Sequence, residues 1–177
     1  MKKYFFIAII LAAAIFYLAV YFNFYPMLKV NGDFVLAREY YARLGGLEFY
    51  SRATGEEADE NIISRGVILS LIIDKLVSEE LSQRQVGLDE AEKRVSDAVA
   101  SDLTNLENAA RKLYGWNIKE FERFSLLPQA RRDVLAEKLA LEGADLSEWL
   151  ARKALEAEVK IYFLPYYWEL GNLFEKK

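Results

Sequence analysis

Between Tyr4 and Phe22 the chain reads YFFIAIILAAAIFYLAVYF, 19 residues without a charge or a strongly polar side chain. At about 1.5 Å rise per residue, a helix of that length is roughly 28 Å long, close to the hydrocarbon thickness of a bilayer. Lys2 and Lys3 precede the run, so the positive-inside rule keeps the N-terminus in the cytoplasm and sends the rest of the chain across the membrane. Tyr4, Phe5 and Phe6 stand at one end of the run and Tyr21, Phe22, Phe24 and Tyr25 at the other, where two aromatic belts belong. The competing reading is a cleaved signal peptide, with Ala12, Ala13 and Ala14 offering small residues to a peptidase. Cutting there leaves IFYLAVYFNFY as the new N-terminus, which is still a membrane segment. The expectation is an uncleaved transmembrane anchor over residues 1–26. The protein would then be single-pass in the inner or plasma membrane, with its domain periplasmic or extracellular.

About 150 residues remain beyond the anchor, enough for one domain with a core of its own. They contain no histidine and no cysteine. Disulfides, thiolate or imidazole metal sites, Cys nucleophiles and Ser-His-Asp triads are excluded by that alone. The formal net charge is −4, and no basic stripe interleaved with aromatics occurs, which argues against nucleic acid as a partner. No cofactor is expected.

After Pro26 the chain reads MLKV-NG-DFVL, and Asn31-Gly32 between two apolar stretches predicts a hairpin, because both central residues need positive φ. An aromatic-rich helix is expected from about Leu36 to Arg52, either continuous or broken at Gly45-Gly46. The acidic turn TGEEADE leads into a long helix over 60–85, whose centre, Val67 to Ile73, is apolar on nearly every face and so belongs in the core. Gly87 ends it, and Asp89 with Glu92 forms the pattern of a capping box. Ala91, Val95, Ala98, Val99, Leu106, Ala110 and Leu113 recur at helical spacing, predicting one long amphipathic helix stopped by Gly115. Asn117 and Glu120 form a second capping box, flanked by Trp116 and Phe121 as a hydrophobic staple. Pro128 should kink the next helix or start a new one. Asp145 and Glu148 open a last helix through about Glu158. Val159 to Leu164 then alternates, the only strand-like stretch in the second half, and is the natural partner of the opening hairpin.

This order of parts resembles a known family. VNGDFV before a helix, then VILSLIIDKLVSEELSQRQVGLDEAEKRV, then LYGWNIKEF and a Pro-interrupted helix ending VLAEKLALE are similar to the SurA N-terminal domain family, the SurA/PpiD-like periplasmic chaperone module. The resemblance covers about residues 28–142. It implies a mainly helical domain outside the cytoplasm, with unfolded or nascent polypeptide as the partner. Taken with the anchor and the closing strand, the expected organisation is a mainly α chain: a transmembrane helix, a helical domain over 27–164 whose two ends a small β-sheet joins, and an aromatic tail over 165–177. The parvulin prolyl-isomerase domain that follows in many members has no counterpart in the residues after Glu158, so no enzymatic activity is expected.

Other residues carry weaker chemistry. GEEADE at 55–60 lacks the alternating oxygens and distal Glu of a calcium loop, and reads as a solvated turn at a helix start. Glu79-Glu80, Asp89-Glu90 and Glu92 read as charged outer helix faces rather than an acid/base pair, and Arg131-Arg132 as an exposed face rather than an anion clamp. The aromatics are the candidates for a client-binding cleft: Tyr40, Tyr41, Phe49, Tyr50, Phe124, Tyr162, Tyr166, Tyr167 and Trp168. For Tyr166, Tyr167 and Trp168, where no regular element offers burial, three placements stay open: packing on the domain, contact with lipid headgroups, or a client surface. The function expected is a membrane-anchored extracytoplasmic chaperone. The alternative is a structural or adaptor subunit that binds one membrane or envelope protein.

Overall fold

The structure, a computed structural model, describes residues 11–14, 17–56 and 58–176. It is mainly helical with two small antiparallel sheets. Much of the expected anchor, Tyr4 to Ile10 with Ile15 and Phe16, lies outside the described residues. Among those described, residues 11–14 and 17–21 are helical, and no helix is long and apolar enough to cross a membrane.

Strands β1 (Pro26–Val30) and β2 (Asp33–Leu36) form the opening hairpin, with Asn31 at φ 48° and Gly32 at φ 102° in its turn. Strand β3 (Val159–Ile161) pairs with the other edge of β1, so that Leu28 faces Ile161 and Val30 faces Val159 in the order β2-β1-β3. Asn31 fastens this closure as well as turning the chain. Its backbone N–H donates to the Glu158 carbonyl at 2.9 Å, and its side-chain oxygen accepts the Glu158 N–H at 2.9 Å. Its side-chain amide donates to Glu79 at 2.7 Å. The two ends of the domain therefore meet at one residue.

Helix α1 (Ala37–Thr54) is continuous through Gly45-Gly46. Gly46 is required for packing: a Cβ there would overlap the indole of Trp116, whose Nε1 donates to the Ala42 carbonyl at 3.1 Å. Gly45, by contrast, faces open space. Helix α2 (Glu60–Gln83) starts at an Asp59 cap and supplies the core with Val67, Ile68, Leu71, Ile72, Leu76, Val77 and Leu81, all buried.

Helix α3 (Leu88–Ala109) departs from expectation at its start and within its length. Its N-cap is Gly87 at φ 91°, and Asp89 makes no cap, since the helix begins one residue ahead of it. Gly87 holds that place because Val134 and Leu81 crowd the position a Cβ would take. Asp102 breaks the helical backbone (φ −144°), and beyond it Leu103 and Leu113 are exposed. Of the expected stripe beyond Asp102, Ala110 is buried and Leu106 half-buried, while Leu113 is left in the open. A π-helical turn (Ala110–Tyr114) ends at Gly115 in the left-handed region.

Asn117 and Glu120 form the expected capping box on the short helix α4 (Ile118–Phe121). The expected staple is replaced: Trp116 fills the slot over Gly46 and stacks on Tyr114 (4.9 Å between ring centres), while Phe121 meets Tyr114 instead. A second π-helical turn (Glu122–Leu126) precedes Pro128, which lies in the first turn of α5 (Leu127–Leu141), where its missing N–H costs nothing. The α5 residues Val134, Leu135 and Leu139 complete the core against α2. Arg94 joins α3 to α5, donating to both Glu137 oxygens at 2.8 and 2.7 Å and to Glu90 at 2.6 Å. Helix α6 (Leu146–Glu156) is capped by the Asp145 side chain, which accepts from Ser147 and Glu148.

The C-terminal segment is a second hairpin, not an irregular tail. Strands β4 (Tyr166–Glu169) and β5 (Asn172–Glu175) pair around Leu170-Gly171, both at positive φ. Tyr166 and Leu173 enter the main core, and Trp168 packs against it. Of the three placements left open, packing on the domain is the one found for Tyr166 and Trp168, because an alternating pair of strands gives them an inward face.

Candidate functional site

The nine candidate aromatics do not converge on one cleft. Tyr40 is 2% exposed and bonds Ser64 through its hydroxyl at 2.8 Å; Tyr166 is 1% exposed. Both belong to the core, a correction to their reading as cleft residues: each sits on the inward side of its helix or strand. Phe49 lies against Gly115, and Tyr50 stacks on Tyr114 at 5.3 Å, which extends the Trp116–Tyr114 pair into a three-ring column beside α1. Tyr41 meets Tyr40 edge-on, exposed on its outer side. Tyr162 stands near Phe163, and Tyr167 stacks on Phe174 at 5.4 Å, both at the C-terminal end of the chain.

Phe124 alone of the nine lines either of two cavities that abut between α1, α2 and α5. The first, of about 310 Å³, has an apolar wall of Leu47, Trp116, Phe124, Leu126 and Pro128. The second, of about 270 Å³, is lined by Lys75, Arg123 and Arg131 among others. Arg43, Asp74 and Pro128 line both.

The shared partition is an ion-pair cluster. Arg43, 6% exposed, donates to Asp74 at 2.5 Å and to Glu39 at 3.3 Å. Arg132 donates to the other Asp74 oxygen at 3.1 Å, and Arg123 to the other Glu39 oxygen at 3.4 Å. The Arg43 and Arg123 guanidiniums lie 5.8 and 5.4 Å from the centre of the Phe124 ring, within cation–π range. Burial pushes the Asp74 carboxyl above its usual range, against the pull of Arg43 and Arg132. Arg131 donates to Ser78 at 3.1 Å and has no carboxylate partner among the described residues. Its Nε and that of Arg43 are buried without a hydrogen-bond partner.

The reading of Arg131-Arg132 as an exposed face is therefore corrected: both turn toward the groove, because Ser78 and Asp74 on α2 give them partners there. Arg43, Asp74 and Glu39 carry a signal that motif reading passes over. Arg43 falls between Tyr40 and Leu47 on the inward stripe of α1, and Asp74 comes after the apolar centre of α2. Opposite charges on two inward stripes are expected to pair, since a lone buried charge is costly.

A third groove, of about 330 Å³, runs between Val95 and Val99 of α3 and the Lys119–Leu127 segment. Chemically, these surfaces offer apolar walls beside guanidinium groups. That suits the capture of a chain carrying both apolar and anionic groups. No family model matches the chain, and no curated protein or solved structure matches it.

Proposed function

We propose that this chain is a membrane-anchored extracytoplasmic protein of chaperone type, which holds unfolded or nascent polypeptide in the grooves between its helices and does not catalyse prolyl isomerisation. The observation that carries this reading is the form of the surface. Its cavities are concave, and each is lined by residues from more than one helix, with apolar and charged walls side by side. Shallow mixed grooves bind varied segments weakly, whereas one dedicated partner is met by a single complementary face. The SurA-like order of parts over residues 28–142 and the uncharged apolar run ending at Phe22 support the same reading.

A structural adaptor is the second reading. Leu103 of α3 and Leu113 of the π-helical turn after it, both exposed apolar side chains, are the features that favour it.

Contact over a few hundred Å² at ~25 cal/mol per Å² yields micromolar or weaker binding once ordering costs are subtracted. The test uses the full chain in lipid nanodiscs, added in tenfold excess to a chemically denatured, aggregation-prone client. Light scattering should fall, and proline isomerisation of a model peptide should keep its uncatalysed rate. Unchanged scattering, together with one stoichiometric membrane partner in pull-downs, would favour the adaptor.

A further inference from the structure

We propose that the two abutting cavities form a site for the C-terminal carboxylate of a polypeptide that ends in an apolar residue; this rests on the polypeptide-binding reading. The cavities hold five cations, Arg43, Lys75, Arg123, Arg131 and Arg132, against two carboxylates, Glu39 and Asp74. That excess of positive charge sits within a chain of net charge −4. The cations are unequally committed. Asp74 and Glu39 take up Arg43, Arg132 and, through the second Glu39 oxygen, Arg123, while the Lys75–Asp33 pair is loose at 3.8 Å and Arg131 meets only a hydroxyl. Two guanidinium Nε groups, on Arg43 and Arg131, are buried and unpartnered at this place. A buried donor without an acceptor carries a desolvation cost that an incoming oxyanion removes.

A guanidinium fork fits carboxylate and phosphate alike. The adjoining wall decides between them. Beyond the partition of Arg43, Asp74 and Pro128, the first cavity presents Leu47, Trp116 and Phe124, in a volume of about 310 Å³. A terminal Leu or Phe would place its side chain against that wall and its carboxylate toward Arg131, Arg123 and Lys75. A phosphate group alone would leave the wall unfilled.

The experiment measures fluorescence anisotropy of a labelled decapeptide ending in Leu, titrated with the full chain in detergent micelles. One probe carries a free C-terminal carboxylate and the other a terminal amide. The acid should bind about tenfold more tightly than the amide, the worth of a charge-assisted contact. Arg131→Gln should bring the acid down to the amide's affinity, Arg131→Lys should restore part of the difference, and circular dichroism reports whether each variant is folded. Equal affinity of the wild-type protein for acid and amide would overturn the carboxylate site while leaving polypeptide binding intact. Failure to bind either probe would overturn both readings. Displacement of the acid by inorganic phosphate, but not by acetate at the same ionic strength, would assign the site to a phosphate and overturn the proposal as well.

Discussion

Gly45 and Gly46 are neighbours on one helix and obey different physics. A Cβ at position 45 meets nothing within contact distance, whereas at position 46 it meets the Trp116 indole. Gly45→Ala should therefore stabilise the domain by ~0.5–1 kcal/mol, the usual gain of Ala over Gly inside a helix. Gly46→Ala should destabilise it by about 1–3 kcal/mol through overpacking. Guanidinium unfolding of both variants, followed by circular dichroism, checks the opposite signs. Asp74 offers a second test at this scale. Burial raises its carboxyl pKa above the unfolded value, so the folded state holds the proton more tightly in that range. Stability contributed by this group is then highest in acid and falls as pH rises from the unfolded carboxylate value through the folded one. Unfolding free energies of the wild type relative to Asp74→Asn should decline across that window and level off above it. A rise instead would mean that the Arg43 and Arg132 pairs outweigh burial.

Among the elements, the two hairpins show what local sequence can signal. Asn31-Gly32 is a strong hairpin dipeptide, and the β1–β2 turn forms where it stands. Leu170-Gly171 adopts the same positive-φ pair without such a signal, which is why the β4–β5 hairpin looks like a tail in the sequence. Leu at φ 47° is unfavourable, and Leu170 is exposed, so its side chain gains little in return. Leu170→Asn should stabilise the protein by ~0.5–1 kcal/mol, since Asn tolerates the left-handed region; a thermal melt should show a higher midpoint. The long core helix, the Asn117 cap and the β1–β3 closure are legible because periodicity, cap chemistry and edge pairing are written in a few consecutive residues. The Arg43–Asp74 cluster is not, because its members are 31 positions apart and each alone looks like a surface charge. The Asp89 cap fails for a related reason: Gly87 is fixed in place by Val134, far along the chain.

For the molecule as a whole, the arrangement ties the first strand of the domain and its C-terminal segment into one core, through β1, β3 and Tyr166, and leaves its grooves between α1, α2, α3 and α5. Open grooves with apolar and charged walls suit the weak, varied polypeptide capture proposed for the chain. The central claim is that those grooves receive many clients rather than one partner. It is tested most directly by placing a photo-crosslinking amino acid at Phe124 in the full-length protein, illuminating living cells, and resolving the products by size. Phe124 lines the first cavity without entering the core. The account predicts a broad smear of crosslinked species from position 124, and much weaker labelling from an exposed control at Leu141, which lines none of the three grooves. A single discrete band from position 124 would contradict it.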